Sequence, residues 1–253
     1  MPSDRSELAL LIAIIGCDGS GKTSVSESIL DCVSAFGPTE AAHLGKQSGN
    51  IGRAIAGLPL VGRFLERIIV RKTDDTRAQR AEKNPGVVTA LVISAFSLRR
   101  LRRFRRMMTA RRQGRIIVTD RYPQLEVAGA YDGPDLSVTA TGGGFVRWLA
   151  RREHAAFEWM TSFSPDLVLR LNVDLDVACA RKTDHRPELL AAKVAATPLL
   201  KFNGASIVEI DANLPLDEVV EAARTAVTGM LIERGYTTSQ DSLDNPSNAD
   251  TVW

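Results

Sequence analysis

The sequence predicts an α/β fold built on a parallel sheet, from three observations. A continuous apolar run, Leu8 to Ile15, is followed at once by a glycine-rich turn. Four further short strand patterns follow along the chain, and helical spacings separate them. A run apolar on both alternating faces marks a strand buried on both sides, and strands alternating with helices are the signature of a doubly wound sheet.

The elements follow in order. Leu8 to Ile15 is expected at the centre of the sheet. Lys22 to Phe36 carries apolar residues at helical spacing (Val25, Ile29, Leu30, Val33) and stops near Gly37-Pro38. A short second strand is expected around Ala41 to Leu44. Arg115 to Thr119, Asp166 to Leu171 and Ser206 to Ile210 supply three more. Between the second and third strands lie roughly 70 residues of mostly helical pattern, more than one crossover needs, and this excess suits a substrate-binding subdomain. Arg181 to Pro198, basic at its start and alanine-rich afterwards, is a second candidate for mobility. The tail from Thr237, rich in Ser, Asn and Asp, reads as disordered.

Composition sets outer bounds. A chain of 253 residues with 44% hydrophobic and 25% charged residues can bury a sizeable core, and one α/β domain with a mobile subdomain suits the length. The net charge is only +2, so the chain as a whole is no polycation seeking nucleic acid. Cys17, Cys32 and Cys179 are odd in number and lack metal-ligand spacing, which points to a reducing cytoplasm rather than a disulfide framework. Leu8 to Ile15 has no small-residue cleavage site and leads into a glycine loop, so it reads as a strand rather than a signal peptide, and Ile51 to Val70 carries Arg53, Arg63, Glu66 and Arg67, which argues against a bilayer-spanning helix.

Gly16-Cys17-Asp18-Gly19-Ser20-Gly21-Lys22-Thr23 matches the phosphate-loop pattern G-x-x-x-x-G-K-[ST], between a strand and a helix. Glycines let successive amides turn inward around a phosphate, and the following helix adds its positive dipole end. Lys22 would neutralise the β and γ phosphates of a nucleotide, and the Thr23 hydroxyl would hold Mg²⁺. Ile116 to Thr119 ends in Asp120, an acid at the end of a strand where it would hold Mg²⁺ through water. The same Asp also fits a turn cap before Pro123. Arg121 follows and could reach a phosphate.

Together, D-G-S-G-K-T at Asp18 to Thr23, D-R-Y at Asp120 to Tyr122 and P-D-L-V-L-R-L-N-V at Pro165 to Val173 resemble thymidylate kinase and its relatives among the nucleoside monophosphate kinases. The resemblance covers most of residues 8 to 230. It implies a P-loop NTPase three-layer α/β/α sandwich with a five-stranded parallel sheet in the order 2-3-1-4-5. Residues 1–236 would form the kinase domain, with a helical acceptor-side region at 45–113, a lid at 181–198 and a disordered tail at 237–253. The implied activity is transfer of the γ-phosphoryl of ATP, with Mg²⁺, to a small-molecule acceptor phosphate. Gly16, Gly19, Ser20, Gly21, Lys22, Thr23, Ser24 and Arg181 would hold ATP, and Thr23 and Asp120 the metal. Lys22, Asp18, Arg121 and Arg186 would serve catalysis, while Asp18, Arg99 and Tyr122 would meet the acceptor.

This sequence departs from the family on the acceptor side. The Arg-Glu-Pro-Gly type run after the second strand is replaced by His43-Leu44-Gly45-Lys46-Gln47, and Ala130-Tyr131-Asp132 leads into a glycine-rich loop instead of the usual Ser and Tyr-Gln signature. A sugar or a lipid-linked alcohol is therefore an alternative acceptor. Nine arginines lie between Arg99 and Arg115 and spread around the helix, which fits a solvated face or contact with an anionic membrane. A nucleotide-gated module that attaches to a membrane or polyanion is the alternative from another class. No specific nucleic acid is expected, and a homodimer is left open. His43, His154 and His185 are scattered and read as surface or structural residues.

Overall fold

The computed structural model describes residues 8–45, 85–127, 132–139, 141–183 and 185–238. The apolar element expected at Ile51 to Val70, most of the run at residues 130–132 and the tail beyond Thr238 lie outside these residues. The chain divides into two compact units. The first comprises Met1–Leu44, Arg103–Tyr122 and Ser164–Trp253, and the second Gly45–Arg102 and Pro123–Phe163.

In the first unit, β1 (Leu11–Gly16), β2 (Thr39–Ala42), β3 (Ile116–Thr119), β4 (Leu167–Asn172) and β5 (Ser206–Asp211) form one parallel sheet in the order β2-β3-β1-β4-β5. This is the order the resemblance implied. β1 is buried along its whole length and pairs with β3 on one side and β4 on the other. Full burial is why its sequence shows no alternation. β2 begins two residues earlier than its apolar pattern suggested and reads Thr-Glu-Ala-Ala. At an edge, only its pairing to β3 fixes its position.

One face of the sheet is covered by α1 (Lys22–Ser34) and by the last helix. That helix is α6 (Leu216–Glu233), numbered after α2 (Val87–Arg112), α3 (Gly144–Thr161), α4 (Leu175–Arg181) and α5 (Pro187–Ala196). Val25, Ile29 and Val33 of α1 and Val219, Ala223, Val227 and Leu231 of α6 recur every fourth residue and enter one core with Leu10, Ile12 and Ile14. Each such aliphatic side chain contributes about 1.5–3 kcal/mol by burial.

An ion-pair clamp secures the opposite end of the sheet from the glycine loop. Buried Arg111 donates from Nε to the Ala9 carbonyl at 2.6 Å and from a terminal nitrogen to Asp166 at 2.6 Å. The Asp166 carboxylate also accepts the Leu11 amide at 2.8 Å.

In the second unit, the start of α2 and α3 share a core of Ala90, Ile93, Leu136, Val146, Leu149 and Ala150. Residues of α2 up to Arg102 belong here, and those from Arg103 to the first unit. Arg100, 4% exposed, donates to the carbonyl and the carboxylate of Asp132, both at 2.9 Å. Glu153 of α3 accepts the Ser97 hydroxyl at 2.5 Å and the Leu136 amide at 2.8 Å. Among the described residues, no helix is long and apolar enough to cross a membrane.

Candidate functional site

The loop after β1 owes its shape to three glycines. Gly16 is in register with Leu171, and a Cβ there would lie 2.5 Å from Ser20 Oγ and 2.9 Å from the Leu171 carbonyl oxygen. Gly19 and Gly21 have φ of 90° and 83°, the left-handed region that side chains disfavour. The Cys17 carbonyl gathers the turn, accepting the Ser20 amide at 3.3 Å, the Ser20 hydroxyl at 2.9 Å and Lys22 Nζ at 2.5 Å. Thr23 and Ser24 are exposed on the first turn of α1, which carries no acidic residue. The positive end of the helix dipole is thus left for an anion.

Beside the loop, Asp18 is the focus of several basic groups. Lys193 of α5 bonds to its Oδ2, Arg121 lies 3.5 Å from Oδ1, and His185 Nε2 lies 3.7 Å from Oδ2. Burial works to raise the Asp18 carboxyl. The bond to Lys193 and the charges of Lys193, Lys22 and Arg121 outweigh burial and hold it at about 2. Asp18 is therefore a fixed negative charge among basic groups that would suit phosphates equally well.

No family model matches the chain. The uncharacterized ATP-binding protein YghS of Escherichia coli (strain K12) is 42% identical over 222 residues, which cover 87% of this chain and 93% of YghS. The uncharacterized ATP-binding protein YghR of the same strain is 36% identical over 219 residues, 86% of each chain. This chain belongs to the YghS/YghR family.

In this YghS/YghR family member, the site residues expected from the sequence are distributed as follows. Gly16, Asp18, Gly19, Ser20, Gly21, Lys22, Thr23 and Ser24 form the loop and first helical turn, with Arg121 reaching Asp18. Arg181, at the end of α4, donates to the Ala212 carbonyl at 2.7 Å and to the Gly19 carbonyl at 3.3 Å, tying the loop to the turn after β5. Arg186 is exposed at the N-cap of α5.

Asp120 ends β3, with Oδ2 3.3 Å from His43 Nδ1, while its buried Oδ1 has no hydrogen-bond partner. A buried carboxylate oxygen left unsatisfied fits a cation or its bound water. The donor set suits Mg²⁺, which keeps waters and phosphate oxygens and needs few protein ligands. Among the described residues, no cluster of three or more His, Cys, Asp or Glu offers a metal cage.

Tyr122 is buried between Phe104 and Phe202, with centroids 5.8 and 6.1 Å away, and burial pushes its phenol up. Its ring therefore packs in the interior of the first unit. Arg99 is exposed on the part of α2 that belongs to the second unit, while its neighbour Arg100 is buried there. Of the nine arginines read as one basic helix, Arg100 and Arg111 are held by acids.

Lys193 carries no local signal in the sequence beyond its spacing from Arg186, and His43 and His185, read there as surface or structural, stand beside Asp120 and Asp18. The helical distance from Arg186 to Lys193, two turns, would have hinted that both flank one site. Nothing local connects either histidine to its acid. Cys17 is buried, its thiol is pushed up by burial, and it donates to the Asp18 carbonyl at 3.3 Å, so it packs the loop.

Proposed function

We propose that this protein binds ATP with Mg²⁺ at Gly16–Thr23 and transfers the γ-phosphoryl group to a phosphorylated acceptor, with a nucleoside monophosphate as the first candidate. The observation that carries this reading is the convergence of Lys193, Arg121 and His185 on Asp18 beside the phosphate loop. Relatives named as ATP-binding proteins support the nucleotide, and the resemblance to thymidylate kinase supports the acceptor class.

Phosphoryl transfer asks a protein mainly for alignment and charge neutralisation. Loop amides and Lys22 would bind the β and γ phosphates, with Thr23 and Asp120 holding Mg²⁺. The metal, when bound, withdraws charge from the phosphate oxygens. Arriving phosphates compete with Asp18 for Arg121 and Lys193, so the cations that now neutralise one carboxylate would screen the transferring group. An oxygen of the acceptor attacks the γ phosphorus, the bond from that phosphorus to the β-bridging oxygen breaks, and ADP leaves with the electron pair. Arg186 joins from the α5 side, and Arg181 steadies the loop from beneath. Arg99 is assigned to the acceptor.

The low Asp18 pKa bears on the acceptor. A carboxylate held at about 2 is a poor proton acceptor near neutrality. A phosphate monoester already carries an ionised oxygen and needs no base, whereas an alcohol does. A phosphate acceptor therefore asks nothing of Asp18 as a base, while an alcohol would pass its proton to a carboxylate or to His185 beside Asp18.

The test uses purified full-length protein with Mg²⁺ and γ-labelled ATP against nucleoside monophosphates, sugar phosphates and polyprenyl phosphates, each beside its parent alcohol. Label is expected on phosphate monoesters only. Label confined to alcohols, or released solely as inorganic phosphate, would refute the proposal.

A further inference from the structure

The second unit carries a surface that nucleotide chemistry does not use. On α3, Val146, Leu149, Ala150, Glu153, Phe157 and Met160 face inward. At 100° per residue, Phe145, Trp148, Arg152 and Trp159 fall together on the opposite side. Phe145 and Trp148 are each 49% exposed and Trp159 is 38% exposed. The Phe145 and Trp148 rings stack at 5.8 Å, and the Arg152 guanidinium lies 5.6 Å from the Trp148 ring. Two of the three tryptophans in the chain therefore lie partly exposed on one helical stripe, with Trp159 edge-on to Phe163 at 5.2 Å. Large aromatics exposed in a row mark a contact surface rather than the scatter of single apolar residues normal for a surface.

We propose that this stripe of α3 docks on the headgroup region of an anionic lipid bilayer. Tryptophan and phenylalanine beside arginine suit that zone, where a ring is half apolar and half wet and basic groups meet lipid phosphates. Charge favours this partner. Arg147 and Arg151 flank the stripe, and of the two acids of α3 Glu153 is buried while Glu158 falls on the same flank as those arginines and pairs with His154 at 3.4 Å.

A second copy of the chain is a poorer occupant. Arg152 is the midpoint between Phe145 and Trp159, so a two-fold pairing of stripe on stripe sets Arg152 against its own copy. A single-stranded nucleic acid would meet the arginines and could stack on the rings, and the competition with oligonucleotides below separates it from lipid. The proposal is independent of the phosphoryl acceptor, since it uses no residue of the phosphate loop.

Full-length protein is mixed with vesicles of pure phosphatidylcholine or of phosphatidylcholine with phosphatidylglycerol, and the pelleted fraction is measured as salt is raised. Retention is expected on the anionic vesicles, falling with salt, with a blue shift of tryptophan emission in a Trp253→Phe background. Arg152→Gln is expected to weaken partition about fivefold. Trp148→Ala with Trp159→Ala, in a chain that keeps Trp253, should abolish retention in the pellet while leaving ATP binding and far-ultraviolet circular dichroism unchanged. Trp148→Phe, which keeps a ring at that position, should restore most of the retention lost in Trp148→Ala.

The inference is overturned if the wild type stays in the supernatant with anionic vesicles, or if the aromatic and Arg152 variants are retained as well as the wild type. It is equally overturned if those substitutions dissociate a dimer in sedimentation velocity, or if oligonucleotides displace the protein from vesicles at low concentration.

Discussion

Asp18 in the first unit and Glu153 in the second are both acids taken largely out of water, and they respond in opposite ways. Around Asp18, the cations Lys193, Arg121 and Lys22 overcome burial and hold the carboxyl at about 2. Around Glu153 the partners are the neutral Ser97 hydroxyl and the amides of Leu136 and Asp135, so burial prevails and the carboxyl is pushed up. Cationic partners can be lent to an incoming phosphate. Neutral ones, aimed from a helix and a loop, fix the packing of the unit and have nothing to release. Asp18, 18% exposed, and Glu153, 4% exposed, thus differ in burial as well as in the kind of donor around them, and cationic against neutral donors account for the opposite directions of shift.

That contrast can be broken by substitutions whose effects should differ in kind. Lys22→Ala removes charge at the phosphates and no core volume, so phosphoryl transfer should fall at least about a thousandfold while stability changes by less than about 0.5 kcal/mol. Steady-state kinetics and a urea melt measure both. Glu153→Ala should do the reverse, costing about 3 kcal/mol by stranding the Ser97 hydroxyl and two buried amides while leaving nucleotide affinity intact. Glu153→Gln should cost less, because its amide oxygen still accepts. Lys193→Met should lower transfer about tenfold or more and move the Asp18 pKa upward from about 2, read by NMR of the labelled carboxyl.

The smallest effect is the dependence of stability on pH, and its sign differs between the two acids. The Asp18 pKa is depressed from 3.8, so its contribution is complete above about pH 4 and is lost as pH falls through about 2. The Glu153 pKa is raised from 4.5, so its contribution is complete below 4.5 and fades as pH rises through the raised value. Urea melts between pH 2 and 7 should show the gap between wild type and Asp18→Asn closing at the acid end. For Glu153→Gln the gap should narrow towards neutrality. Parallel gaps would show that both acids are struts.

What the sequence displayed well was local. β1 and the glycine loop are contiguous, each residue type answering a requirement of its own position, and short strand patterns separated by helical spacings disclose the sheet. Contacts between distant residues were hidden. Arg100 reaches Asp132 across 32 positions and Arg111 reaches Asp166 across 55, so which arginines of the helix turn inward to acids is set by residues distant in sequence. Lys193 meets Asp18 across 175 positions, and only the folded chain brings that lysine to the loop. β2 was displaced by two residues because its four residues include just two apolar ones and the pairing to β3 sets its register. The strand pattern at β4 is legible despite Arg170, whose terminal nitrogens meet the Pro198 carbonyl at 2.6 Å and Glu209 at 3.1 Å while its buried Nε has no partner.

Every role proposed for the site depends on a nucleotide seated in the loop between β1 and α1. Isothermal titration of ATP with Mg²⁺ into the full-length protein and into Lys22→Ala measures this directly. Saturable heat at one site per chain is expected for the wild type, at least tenfold weakened in the variant. Absence of heat from well-folded wild type, or equal affinity in both proteins, would contradict it.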